Sequence, residues 1–195
     1  MTNKIIDHFL QKFPILNEQE RNELAGKLNV KLFKKKEILQ EEGKIPQNCF
    51  FVLEGCVRQY CIVDGAERST EFYTPENAAI SSDCYMNRSP SNFYLECLED
   101  STLLVGDAEY DEKLIAEFPV LQAILMQVAE QEWLKAQNRL SMFKISSPEK
   151  RYEDFLKQRP DLIHKIPNNQ IASYLGITAE SLSRIRKRLL IKAKK

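Results

Sequence analysis

The segment IPNNQIASYLGITAESLSRIRKRL, residues 166–189, narrows most sharply what this chain can fold into. Asn168 is placed to cap a helix carrying Ile171, Ala172 and Leu175. Gly176 follows, where a turn needs positive φ. Ile177 fills the turn. Thr178 is placed to cap a second helix, in which Leu182, Ile185 and Leu189 recur at helical spacing. Two short helices joined by a tight glycine turn form a helix-turn-helix. Burying the stripe of Leu182, Ile185 and Leu189 dictates what faces outward. At about 100° per residue, Ala179, Glu180, Ser183, Arg184 and Lys187 lie mostly on the opposite side.

That outward side has the chemistry of a base reader in the major groove. Arg184 can bond bidentately to guanine, and Glu180 can accept from cytosine N4. Ser181 and Ser183 offer shorter, less specific contacts, and Lys187 extends the same face. These five residues are the predicted base-reading set. Ser173, Thr178, Arg186, Arg188 and Lys192 are the predicted phosphate set, with Lys194 and Lys195 adding attraction.

The charge distribution agrees. The 195-residue chain is neutral overall, with 28 Lys+Arg against 28 Asp+Glu. Residues 1–143 carry 15 basic and 23 acidic residues, a net of −8. Residues 144–195 carry 13 basic and 5 acidic, a net of +8. A basic end on an acidic body points to a nucleic-acid partner for that end alone, and the helix-turn-helix makes that partner double-stranded DNA.

The rest of the chain falls into two styles. Ile5, Ile6, Phe9, Leu10 and Phe13 recur at helical spacing until Pro14. Asn17 and Glu20 form a capping-box pattern for a second helix containing Leu24 and Leu28. From Val30 to about Asp107 the chain switches to short runs rich in Phe, Val, Ile, Tyr, Thr and Cys. Asp64-Gly65 is a strong hairpin signal and Glu54-Gly55 a second turn. Many short strands joined by turns predict an antiparallel barrel or roll.

Helical period returns at Glu109–Glu117. Pro119 then suits the first turn of a long helix running to about Met142. Its stripe of Leu121, Ile124, Leu125 and Val128, with Trp133, Leu134 and Leu140 further on, can pack on the chain's own roll. A helix as long as a small domain is wide also has surface to spare, and a two-fold homodimer is the expected use of it. Ser146-Ser147-Pro148-Glu149 is a dense helix start, and the predicted domain boundary lies there, near residue 144.

Other classes are excluded by what the sequence lacks. The apolar runs are too short for a membrane-spanning helix, and MTNKIIDHFLQKF does not read as a secretory leader. The five cysteines, Cys49, Cys56, Cys61, Cys84 and Cys97, include no Cys-x-x-Cys pair. The two histidines, His8 and His164, are remote from them in sequence. No metal site is therefore predicted. An odd cysteine count without a leader fits reduced thiols in a cytoplasm. A cupin-type enzyme would need about three histidines and a carboxylate in its roll. The roll has no histidine, no paired acid–base site is evident, and no catalytic residue is assigned.

Roll, long helix and terminal helix-turn-helix in this order resemble the Crp/Fnr superfamily of bacterial transcription regulators. QIASYLGITAESLSRIRKRL and FFVLEGCVRQYCIVDG carry the resemblance most specifically. It implies an α+β chain: a cyclic-nucleotide-binding-type β jelly roll with N-terminal helices over 1–118, a dimerisation helix over 119–143, and an all-α helix-turn-helix domain over 144–195. It also implies a homodimer that binds a palindromic promoter site and recruits or blocks RNA polymerase. Glu180, Ser181 and Arg184 fall where the family reads bases. Ala179 stands where the best-known members carry arginine, so their target sequence does not transfer.

The effector site departs from the family pattern. Ser81-Ser82 lies where a Gly-Glu pair would hold a ribose, and Ser91-Asn92-Phe93 lies where Arg-Ser-Ala would hold the cyclic phosphate. Arg88 is about three residues early. A buried phosphate needs a paired cation, so cyclic AMP is not the expected effector and no cofactor is assigned. Ser81, Ser82, Arg88, Ser91 and Asn92 remain the candidate pocket. Oxygen sensing of the Fnr type would need cysteines near the N-terminus, and the first is Cys49. Only IKAKK follows Leu190, so the reading is of a helix-turn-helix without the family's β wing. The alternative is a small-molecule sensor whose roll is primary and whose DNA binding is vestigial.

Overall fold

The computed structural model describes residues 2–75 and 87–192. The chain divides into two compact units. One comprises Met1–Gln59 and Phe72–Leu134, the other Tyr60–Glu71 and Lys135–Lys195.

In the first unit, α1 (Thr2–Leu10) and α2 (Glu18–Ala25) open the chain. The Asn17 side chain accepts from the Glu20 N–H at 2.9 Å, and the Glu20 carboxylate accepts from the Asn17 N–H at 2.9 Å. The capping box is thus formed, satisfying two N–H groups that the helix itself cannot pair.

The strands are β1 (Val30–Phe33), β2 (Ile38–Gln40), β3 (Asn48–Glu54), β4 (Val57–Val63), β5 (Ala66–Tyr73), β6 (Tyr94–Cys97) and β7 (Ser101–Asp107). They form two sheets, ordered β1-β7-β3 and β2-β6-β4-β5. β7 pairs antiparallel with both neighbours, Val30 opposite Leu104 and Phe51 opposite Leu104. A register shift between Val52 and Glu54 bends β3 before the turn at Gly55. Alternation then sorts the side chains. Phe50, Val52, Val57, Leu95, Cys97, Leu103 and Val105 form the roll core. Arg58 is buried in the roll at 2% exposure and pairs with Glu96 at 3.5 Å.

A second apolar cluster lies among the helices. Ile6, Leu10, Phe13, Leu16 and Leu24 meet Leu114 and Phe118 with Ile124. Leu114 belongs to α3 (Ala108–Glu117), and Ile124 to α4 (Val120–Ile145). Burying each such side chain contributes roughly 1.5–3 kcal/mol, which anchors the start of α4. The long helix runs past Met142 to Ile145, because the Ser146 N–H still reaches the Met142 carbonyl at 2.9 Å. Pro119 sits just before its first residue.

In the second unit, the β4–β5 hairpin turns at Asp64 and Gly65, with φ of 53° and 74°. Two consecutive positive φ values define the turn that matches strand twist, which is why Asp-Gly occupies it. α5 (Pro148–Gln158) is capped by the Ser147 hydroxyl, which accepts from the Lys150 N–H. A 3-10 turn at Pro160–Leu162 leads to α6 (Asn168–Tyr174) and α7 (Ala179–Lys192). Tyr152, Phe155, Leu162, Ile166, Ile171, Ala172, Leu175, Leu182 and Ile185 are the buried side chains of this unit's helical part.

One expected cap is corrected. Asn168 does not cap α6; Pro167 occupies the cap position and no side-chain cap bond forms. Asn168 is already helical, and its side-chain oxygen accepts instead from Arg186.

Candidate nucleic-acid interface

The helix-turn-helix closes around Gly176, whose φ is 66°. A Cβ there would also lie 2.9 Å from the Phe143 ring, so both backbone and packing select glycine. The Ser181 N–H donates to the Thr178 hydroxyl at 3.2 Å, so Thr178 caps α7 as its spacing predicts. Leu182 and Ile185 are buried and Leu189 is half-buried. Their burial leaves Glu180, Ser183, Arg184 and Lys187 exposed on one side of α7. Within an arc of about 100°, these four place one acceptor, one hydroxyl and two cations on a solvent-facing surface. Ser181 lies off this arc, half-buried, its hydroxyl 3.1 Å from the Thr178 hydroxyl and accepting from Arg184 at 3.2 Å. It steadies the arginine rather than standing free beside it.

Glu180 sits in the first turn of α7. Its own backbone N–H and the Thr178 hydroxyl hold its carboxyl below the usual carboxylate range, with Arg184 adding a smaller pull. It is therefore a firm acceptor.

The predicted phosphate set is dispersed. Thr178 is exposed but engaged in the cap. The Ser173 hydroxyl accepts from the Ser69 N–H of the β4–β5 hairpin at 3.0 Å. Arg186 is half-buried: its Nε donates to the Tyr152 hydroxyl at 2.8 Å and its Nη1 donates to Asn168. Arg188 is exposed and pairs with Glu149 at 3.2 Å. Lys192 ends α7, and its side chain lies outside the described residues, as do Lys194 and Lys195.

Three of the five candidate effector residues lie among the described ones. Ser81 and Ser82 lie outside the described residues. Arg88 is exposed, with a φ of 50°. Ser91 is buried, and its hydroxyl donates to the Phe93 carbonyl at 2.8 Å and accepts from the Phe93 N–H at 3.2 Å. Asn92 is exposed. Ser91 thus staples its own loop.

On α4, Ile124 is buried in the helical cluster, with Leu121 and Val128 packed against that cluster. Of the four residues predicted for the dimer helix, only Leu125 is exposed. The helix also exposes Leu134, Met142 and Ile145 and, along one stripe, Met126, Trp133, Leu140 and Phe143. With Ala129 and Ala136, also exposed, they step by three and four residues in turn. That is the spacing of a coiled-coil seam; its Trp133 and Leu140 are legible in the sequence, its register through Met126 and Ala129 is not.

A feature without any local signal is the Glu71 cluster. Glu71 is buried, its carboxylate pairing with Arg159 at 3.1 Å and with Arg139. Together with the bond from Ser69 to Ser173, it fastens the β5 end of the hairpin within the second unit. Burial and the Glu71 charge push the Tyr174 hydroxyl's pKa up.

Among the described residues there is no cluster of His, Cys, Asp and Glu able to hold a metal, and no helix long and apolar enough to cross a membrane.

Comparison with known proteins agrees with this arrangement. Residues 30–118 match the cyclic nucleotide-binding domain family. The chain is 25% identical over 188 residues to the anaerobic regulatory protein of Pasteurella multocida, a match covering 89% of this chain and 68% of that one. The fold is similar to that of FixK2 from Bradyrhizobium japonicum, with a TM-score of 0.69 at 18% identity over 85% of this chain and 86% of that one. It is also similar to TTHA1359, a Crp/Fnr-family transcriptional regulator of Thermus thermophilus, with a TM-score of 0.65 at 16% identity over 84% and 87%. With a β roll, a long helix and a terminal helix-turn-helix in this order, the chain has a fold similar to that of these proteins.

Proposed function

We propose that this chain is a DNA-binding transcription regulator that reads a palindromic site as a homodimer. The observation that carries the reading is the exposed arc of Glu180, Ser183, Arg184 and Lys187 on α7, backed by the buried Leu182 and Ile185. Such a helix enters the major groove, and two-fold symmetry sets its half-sites about 34 Å apart, one helical turn of DNA. Residues 1–118 serve as sensor, 119–143 as dimerisation helix and 144–195 as DNA-binding domain. The seam of Met126, Ala129, Trp133, Ala136 and Leu140 supports dimerisation through the long helix. In this role the protein has no enzymatic step, and its effect on a promoter passes through RNA polymerase. Cyclic AMP is not its effector, a reading supported by the Ser91 hydroxyl's engagement with Phe93.

The test is selection of bound sequences from a random duplex pool. Enrichment of a palindrome is the expected result. Arg184→Ala should then cost roughly 1–3 kcal/mol on that site and relax preference at one base position. Equal losses on selected and random DNA would reduce Arg184 to a phosphate contact, and enrichment of nothing would refute the reading.

A further inference from the structure

A cleft of about 170 Å³ lies between the N-terminal helices, the outer face of the β1-β7-β3 sheet and the first turns of α3 and α4. Register partners Phe51 and Leu104 line it from the sheet. Phe9 and Phe13 line it from the N-terminal helices, and Leu114, Leu121, Ile124 and Val128 from α3 and α4. Phe9 stands edge-on to Phe13 and to Phe51, with centroids 5.2 and 4.9 Å apart. Asp111, which also lines it, accepts from the Cys49 thiol at 3.9 Å, and two more of its polar groups are engaged. The Tyr110 hydroxyl donates to the Lys27 carbonyl at 2.8 Å, and the Lys27 ammonium pairs with Glu117.

We propose that this cleft is a binding site for a neutral apolar molecule the size of a single six-membered aromatic ring. Three arguments support it. The cleft opens to solvent beside Leu125, yet its walls are largely aliphatic and aromatic, the character of small-molecule pockets. A dry cavity of about 150 Å³ lined by Leu, Ile and Phe accepts benzene. The edge-on phenyl rings offer a further ring the tilted contacts that aromatic pairs prefer. An anionic ligand is excluded, because Lys27, the cation in the lining, is paired with Glu117 and leaves no counter-charge to offset desolvation.

The site is separate from the candidate pocket at Ser91 and Asn92. It is also separate from the seam on α4: at about 100° per residue, Leu121, Ile124 and Val128 lie roughly 150° around the helix from Met126, Trp133 and Leu140. A ligand would press on one flank of the helix whose other flank seats a second copy. That consequence rests on the proposed dimer; the binding itself does not.

The test is titration of the full chain, labelled at its Ile, Leu and Val methyl groups, with toluene. Saturable shifts at Leu104, Leu114, Leu121 and Ile124 are the expected result. Leu121→Trp should fill the space and weaken toluene binding at least tenfold. Absence of saturable shifts up to the solubility limit would overturn the proposal. So would shifts confined to Val52, Val57, Leu95 and Leu103 in the roll core, to Leu140 on the seam, or unchanged affinity in a folded Leu121→Trp. If that variant does not fold, the wild-type titration decides alone.

Discussion

The Arg186 guanidinium is tied to Tyr152: Nε donates to the phenol oxygen at 2.8 Å, and the cation stands 5.4 Å from the ring centroid. This joins α7 to α5 from the flank of the reading helix. It makes Arg186 a structural residue among cations that are otherwise exposed. Arg186→Ala should lower stability by about 1.5–3 kcal/mol, the range for hydrogen bonds to a charged group. Urea denaturation checks this. A variant as stable as the wild type would return Arg186 to the phosphate set.

Lys187 is the contrast. It is exposed on the reading arc. Lys187→Ala should leave the urea midpoint unchanged. If it meets phosphate, the slope of log K against log salt falls by about 1, uniformly over sequences. If it meets a base, the slope holds and one position of the site relaxes. Fluorescence anisotropy at several salt concentrations separates the two.

Trp133 is the chain's one tryptophan, and it is 61% exposed. Its place on the seam makes it a reporter of dimerisation. Emission should move to shorter wavelength as protein concentration rises through the dimer dissociation constant. Leu140→Glu should abolish that shift and leave a monomer by light scattering, because a charge in an apolar seam lacks a partner. Ile124→Glu should instead disrupt folding, since Ile124 is 6% exposed in the helical core. A dimer that survives Leu140→Glu would place the interface elsewhere.

Burial pushes the Cys97 thiol up to about 11. At pH 8 its thiolate fraction is on the order of one in a thousand, by the titration relation for such a shift. Cys56 is buried as well, whereas Cys49 and Cys61 are half-buried. Disulfide-exchange labelling of the native protein should modify Cys61 long before Cys56 or Cys97, and unfolding should erase the difference. Peptide mapping that finds Cys97 labelled at the rate of Cys61 would contradict the roll packing.

The lowered Glu180 pKa gives a pH dependence of defined sign. A carboxyl depressed by folding stabilises above its unfolded value, about 4.3. That contribution is lost as pH falls through the lower folded value. An NMR titration should therefore place the Glu180 midpoint below the ordinary glutamate value. Thr178→Ala should raise it by removing the hydroxyl bond. A midpoint at or above the ordinary value would mean that the N-terminal turn of α7 does not hold the carboxylate.

The helix-turn-helix was legible because its determinants are local. The Gly176 turn, the Thr178 cap and the spacing of Leu182 and Ile185 all act within a few residues, and the capping box of Asn17 and Glu20 is local in the same sense. Asn168 shows the limit of that logic. Its type and position suit a cap, yet the helix begins one residue earlier and its side chain reaches Arg186, 18 positions away.

Along α4, the sequence determined a long amphipathic helix but not which stripe faces what. Two apolar stripes share that helix, and only the packing of Ile124 against Leu114 and Phe118 decides that the other stripe is left outside. The burial of Glu71 between Arg139 and Arg159, the turning of Ser91 into its own loop and the cleft behind Phe51 were likewise decided by tertiary structure. The physical reason is common to all of them. Local order, caps and periodic faces arise from neighbours along the chain, whereas a void, a buried ion pair or a choice between two apolar faces exists only once distant segments have come together.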